Sequence, residues 1–77
     1  MRVILDNAAL NAEVWTHFAS KVVCLWVRAG SAEILHDGDS ILTIQVGDRP
    51  VFDGLAIGTS VMARALESGT TLVISES

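Results

Sequence analysis

The apolar residues of positions 12–28 fall on one face when this stretch is wound as an α-helix. At about 100° per residue they fill roughly half of the circumference, and most polar residues fill the other half. Such a separation predicts one long amphipathic helix that ends at Arg28 or Ala29. Gly30 follows it, and glycine suits the position directly after a helix C-terminus. The apolar arc consists of Ala12, Val14, Trp15, Phe18, Ala19, Val22, Val23, Leu25 and Trp26.

A strand is the alternative interpretation for the middle of this stretch. Residues 22–27 are contiguous, apolar and rich in β-branched side chains, which is typical of a buried strand. The helix is preferred because Lys21, Cys24 and Arg28 keep helical rather than alternating spacing.

The rest of the chain predicts short strands and a second helix. Residues 2–5 suit a strand, and residues 32–36 and 40–46 suit a hairpin closed by Asp37, Gly38 and Asp39. Val51 and Phe52 suit a short edge strand after Pro50. A helix is predicted from Asp53 or Gly54 to about Glu67, then a strand over residues 70–75 and a frayed tail.

These elements predict a single small α+β domain over residues 1–77, in the order β-α-β-β-(β)-α-β. Two helices are expected to pack on one face of a mostly antiparallel sheet. The element order is similar to that of a ferredoxin-like split β-α-β arrangement.

Composition predicts that the chain associates with another protein molecule. Hydrophobic residues make up 51% of its 77 residues and charged residues 18%. A domain of this length buries only about 60–65% of the surface of its unfolded chain. The surplus should form an exposed apolar patch, and such patches usually contact a partner or a second copy. We therefore expect a homodimer, with Trp15 or Trp26 as an anchor.

The charge distribution favours a basic partner over nucleic acid. The net charge is −4, divided as +1 through Gly30 and −5 from Ser31 onward. An acidic chain without a cluster of Lys or Arg is poorly suited to bind phosphates directly. Asp37, Asp39 and Asp53 form a candidate acidic corner if the hairpin continues into the next strand. The plainer interpretation treats them as turn and cap residues.

No catalytic, cofactor-binding or metal-binding residue is predicted. Cys24 has polar neighbours on the helical projection, but His17 is two turns away, about 10.5 Å, which is too far for a nucleophile and its base. The segment His36-Asp37-Gly38-Asp39 lacks the later ligands of a calcium loop. Neither glycine-rich phosphate motif is present.

The sequence predicts a cytoplasmic protein, because it has one cysteine, no signal-peptide pattern and no apolar run of membrane-spanning length.

The leading hypothesis is a non-enzymatic module, of the kind that phages or mobile elements encode. It would inhibit or modulate a partner by covering its surface, which could be basic and bind nucleic acid. Two alternatives stay open. One is a small-molecule-binding or enzymatic domain that uses Cys24, His17 and Asp53, and the other is a structural subunit of a larger assembly.

Overall fold

Strands account for all the regular structure in the described part of the chain. A computed structural model describes residues 1–19, 22–53 and 60–76, and no helix occurs among them. The predicted α+β class is therefore wrong, and the protein is all-β. The described residues form eight strands: β1 (Arg2–Ala8), β2 (Glu13–His17), β3 (Val22–Ala29), β4 (Ser31–His36), β5 (Asp39–Gln45), β6 (Val51–Asp53), β7 (Ser60–Ala65) and β8 (Thr70–Glu76).

The strands form two four-stranded antiparallel sheets. Sheet I has the order β1-β8-β3-β6, and sheet II has the order β2-β7-β4-β5. The pairing is nested, since β1 pairs with β8, β2 with β7, β3 with β6 and β4 with β5. Two further pairings, β3 with β8 and β4 with β7, complete the sheets. This is the connectivity of a jelly roll, so the ferredoxin-like arrangement with two helices on one sheet face is wrong.

The predicted first helix consists of strands from both sheets. Its first part contains β2 in sheet II, and residues 22–27 belong to β3 in sheet I, so the alternative strand interpretation is confirmed. In β3, buried Val23, Leu25 and Val27 alternate with more exposed neighbours, as the two-residue period of a strand requires. Gly30 does not end a helix but forms the one-residue link between β3 and β4.

The predicted second helix is also wrong where the structure describes it. Residues 60–65 form β7, in which Val61, Ala63 and Ala65 are buried while Met62 and Arg64 face outward. Residues 54–59 of that predicted helix lie outside the described residues.

The predictions for the remaining strands hold. β1, β8 and the β4–β5 hairpin form where the sequence indicates them. Asp37 and Gly38 close the hairpin with φ values of 52° and 81°, and positive φ at both central positions defines a type I′ turn. β6 lies at a sheet edge, as Pro50 predicts, but it pairs with β3 in sheet I instead of extending the hairpin.

The hydrophobic core fills the space between the two sheets. Phe18, which directly follows β2, is fully buried at one end of it, with its ring centroid 5.8 Å from that of Phe52. The core residues are Leu5, Phe18, Val23, Leu25, Val27, Ala32, Ile34, Ile44, Val61, Ala63, Ala65, Leu72 and Ile74.

The chain crosses from sheet I to sheet II at Gly30, which packs against the buried Thr70. Gly30 has a φ of 77°, and a Cβ at this position would overlap the Thr70 hydroxyl and lie 3.0 Å from Thr70 Cα. The Thr70 hydroxyl donates to the Glu67 carbonyl at 2.7 Å, with the Ser31 carbonyl 3.1 Å away. The crossing therefore requires a residue without a side chain.

Candidate functional site

An apolar row crosses the outer face of sheet II. Trp15 of β2 is in register with Met62 of β7, and Met62 is in register with Leu35 of β4. Ile41 of β5 lies beside Leu35, where a register shift interrupts the β4–β5 pairing. These four residues, Trp15, Met62, Leu35 and Ile41, are called the tryptophan row. Trp15 is 69% exposed and Ile41 42%, while Met62 and Leu35 are half-buried.

The tryptophan row is unusual because an antiparallel sheet with one solvated face normally carries polar residues on that face. The inward positions next to the row are also apolar and buried, as Val61, Ala63 and Ile34 show. Where the tryptophan row crosses them, the strands of sheet II are therefore apolar on both faces. Only one of those faces contacts the core, so the other is an exposed apolar patch.

A charged row runs beside the tryptophan row on the same face. It consists of Glu13, Arg64, Glu33 and Thr43, which are in register across β2, β7, β4 and β5. The Arg64 guanidinium donates to the Glu33 carboxylate, and both side chains are partly buried. Arg64 Nε is buried and has no hydrogen-bond partner among the described residues. The two rows thus place an apolar stripe beside a line of alternating charges.

The outer face of sheet I is better covered by the chain itself. Val3, Val73 and Trp26 are in register there, and Val73 is fully buried although it faces away from the core. The Arg49 guanidinium carbon lies 5.7 Å from the centroid of the Trp26 ring, within the range of a cation–π contact. The two predicted anchors therefore differ, because Trp26 is partly covered within the chain while Trp15 is largely exposed. They lie on different sheets and do not share one face.

The predicted acidic residues sit at strand ends. Asp37 lies in the β4–β5 turn, and Asp39 begins β5; both are exposed. Asp53 ends β6 in sheet I, in register with Val22 of β3. Because β3 runs directly into β4, the start of β3 and the end of β4 lie at the same end of the sandwich. Asp53 is therefore at the end that carries the turn, but on the other sheet and not through a continued meander.

The structure does not bring Cys24 and His17 together. Cys24 lies on β3 in sheet I between Ser75 and Val51, whereas His17 ends β2 in sheet II. Lys21, which belongs to the same sequence cluster, lies outside the described residues. Within residues 1–19, 22–53 and 60–76, no three His, Cys, Asp or Glu side chains are grouped closely enough to hold a metal ion.

An ion pair near the two ends of the chain fixes the end of β2. Arg2 donates to a Glu76 carboxylate oxygen at 2.7 Å, and the other oxygen accepts the Ala19 N–H at 3.1 Å. Arg2 also donates to the His17 carbonyl. The hydrogen bond from Arg2 lowers the pKa of Glu76 below its ordinary value, because it favours the ionised carboxylate. The tail is therefore ordered through Glu76, and it helps to hold the edge strand that carries Trp15.

Comparisons with protein-family models, curated proteins and solved structures find no match to this chain. In the described part of the chain, no helix is long and apolar enough to cross a membrane. The site rests on its geometry alone. Sequence reasoning identified Trp15 but missed Met62, Leu35 and Ile41, whose common signal is alternation with buried residues along three strands.

Proposed function

We propose that the protein is a non-enzymatic interaction module that binds another protein molecule through the tryptophan row. The observation that carries this proposal is the exposure of Trp15, at 69%, in register with the apolar side chains of neighbouring strands. Tryptophan is enriched among the residues that dominate binding energy, especially within an apolar patch that excludes water. The charged row along one side supplies a polar border of the kind that flanks the apolar centre of an interface.

The sequence-based hypothesis of an inhibitor for a basic partner has weaker support. It depends on the acidic second half of the chain, yet two of those carboxylates, Glu33 and Glu76, already pair with Arg64 and Arg2. The other carboxylates are divided between both sheets and the turns. We therefore favour an apolar contact through sheet II over an electrostatic contact through an acidic corner.

Capture of interacting protein with the immobilised wild type and two immobilised variants tests this proposal. We expect Trp15→Ser to weaken the captured interaction at least about 30-fold, because truncation of an interface tryptophan typically removes 2 kcal/mol or more. Val51→Ser is the matched control, since Val51 is 58% exposed on the outer face of sheet I. It should leave the interaction unchanged. The amount bound is measured by quantitative mass spectrometry at low and high salt.

The salt series separates the two kinds of contact. An apolar contact should persist at high ionic strength, whereas attraction between exposed charges is screened. Binding that survives Trp15→Ser but disappears in salt would contradict the proposal and favour the acidic corner. The absence of any Trp15-dependent interaction, with other proteins or with a further copy of the chain, would also contradict it.

A further inference from the structure

We infer that the occupant of the tryptophan row is a second copy of this chain, packed face to face about a two-fold axis parallel to the strands of sheet II. This inference rests on the proposed function and identifies the partner. Closed two-fold dimers require a surface that is complementary to itself. The outer face of sheet II meets this requirement in the order of its residues across the four strands.

The two-fold axis would pass between β7 and β4, the two central strands of sheet II. Rotation about it places β7 of one copy over β4 of the other, and β2 over β5. Met62 then lies opposite the partner's Leu35, because the two residues are in register within one chain. Trp15 lies opposite the partner's β5 at each end of the row, where Ser40 is in register with Leu35 and Ile41 follows it at the register shift. Apolar side chains therefore meet at the centre of the row, and Ile41 lies beside the partner's Trp15 at each end.

The same rotation makes the charged rows complementary. Arg64 is in register with Glu33, so each Arg64 lies opposite the partner's Glu33, and each Glu33 opposite the partner's Arg64. Each Glu13 lies opposite the partner's Thr43, which is uncharged. Within these two rows of described residues, no like charges face each other across the axis.

The size of the face is typical of a weak interface between two molecules. Strands spaced about 4.8 Å apart and rising about 3.4 Å per residue give four strands of five residues a projected area of roughly 300 Å². The accessible area of each face is larger than its projected area, because side chains project from the sheet. The total area buried by two such faces therefore approaches the lower limit of stable interfaces, about 1,200 Å². We therefore expect a dimer with a dissociation constant in the micromolar range.

A charge-swapped variant tests the partner and the axis together. Glu33→Arg combined with Arg64→Glu preserves the ion pair within one chain and the complementarity of the variant with itself. In a mixed dimer with the wild type, however, both contacts across the axis join like charges. Such contacts strongly disfavour association. We expect each protein to dimerise and the mixed dimer to fall from the statistical half to below about one tenth of all dimers.

Native mass spectrometry of an equilibrated mixture measures the mixed dimer. The swap leaves the composition and mass unchanged, so one protein is labelled with ¹⁵N. A mixed dimer that makes up half of all dimers would contradict the proposed axis parallel to the strands. That result would fit a two-fold axis perpendicular to the strands, which does not bring the charged rows together. A wild type that stays monomeric at millimolar concentration would overturn the second copy as occupant, while a Trp15-dependent interaction with another protein would leave the proposed function standing.

A pair of substitutions at an exposed position covers the case in which the swapped variant does not fold. Thr43 is exposed on β5 and lies opposite the partner's Glu13 in this arrangement. Thr43→Lys should lower the dissociation constant about threefold or more, and Thr43→Glu should raise it by a similar factor. Equal effects of the two substitutions, measured by sedimentation equilibrium, would contradict the axis.

Discussion

Replacement of Ile34 by alanine is expected to destabilise the protein by about 3–4 kcal/mol. Ile34 is fully buried between the sheets, and its truncation leaves a cavity among packed core residues. A loss of this size is a large part of the total stability of a small domain. Ile34→Val, which removes a single methylene, should cost about 1 kcal/mol and gives a measurable value if Ile34→Ala does not fold.

Ile41→Ala is the matched control, because it removes the same atoms from the outer face of sheet II. Ile41 is 42% exposed, so we expect a change below about 1 kcal/mol. Urea unfolding at protein concentrations low enough to avoid association measures all three variants. Equal losses for Ile34→Ala and Ile41→Ala would contradict the assignment of inward and outward faces.

Gly30→Ala should destabilise the protein by about 2–4 kcal/mol. Part of this loss comes from the backbone, since an L-residue at a φ of 77° is strained. The rest comes from contact, because the new Cβ overlaps the Thr70 hydroxyl and approaches the Thr70 backbone. The Thr70 side chain cannot simply rotate away, since its hydroxyl donates to the Glu67 carbonyl.

Gly38→Ala separates the two contributions to the effect at Gly30. Gly38 has a similar φ of 81°, but a Cβ there meets no atom within 4 Å. It should therefore show only the backbone cost, about 1 kcal/mol. Thermal unfolding of the two variants gives the difference. Equal shifts of the midpoint would show that the close crossing over Thr70 contributes nothing to stability.

Local turn chemistry, β-branched runs and Pro50 were sufficient to predict five of the eight strands in the described residues. The Asp37-Gly38 pair specifies a type I′ turn because both residues tolerate positive φ, and the hairpin around it formed as expected. β1 and β8 are β-branched runs bounded by turn residues, and the structure confirms them. These signals are local, so a single sequence contains them.

The two predicted helices failed because apolar residues occur on both faces of the strands. In β3, buried Val23, Leu25 and Val27 alternate with Cys24 and Trp26, which are themselves partly buried on the outer face. A helical projection accepts such a run as a broad apolar arc. The two-residue period is also obscured where a strand ends inside the window, as β2 does at His17.

The candidate site could be predicted only in part for the same reason. Composition predicted an exposed apolar patch with Trp15 or Trp26 as an anchor, and the structure shows that Trp15 is 69% exposed. The tryptophan row itself depends on the register between β2, β7, β4 and β5, which are distant in sequence. No local sequence pattern indicates that Met62 lies between Trp15 and Leu35.

Fluorescence of Trp15 tests the central claim, that the exposed row is covered by a second copy, most directly. Trp26→Phe leaves Trp15 as the single tryptophan, and its emission and iodide quenching are followed from nanomolar to millimolar protein. We expect exposed-indole emission at low concentration, then a blue shift and protection from iodide in the micromolar range. The reciprocal Trp15→Phe variant should show emission independent of concentration. Trp15 emission that stays red and equally quenchable throughout would contradict the claim.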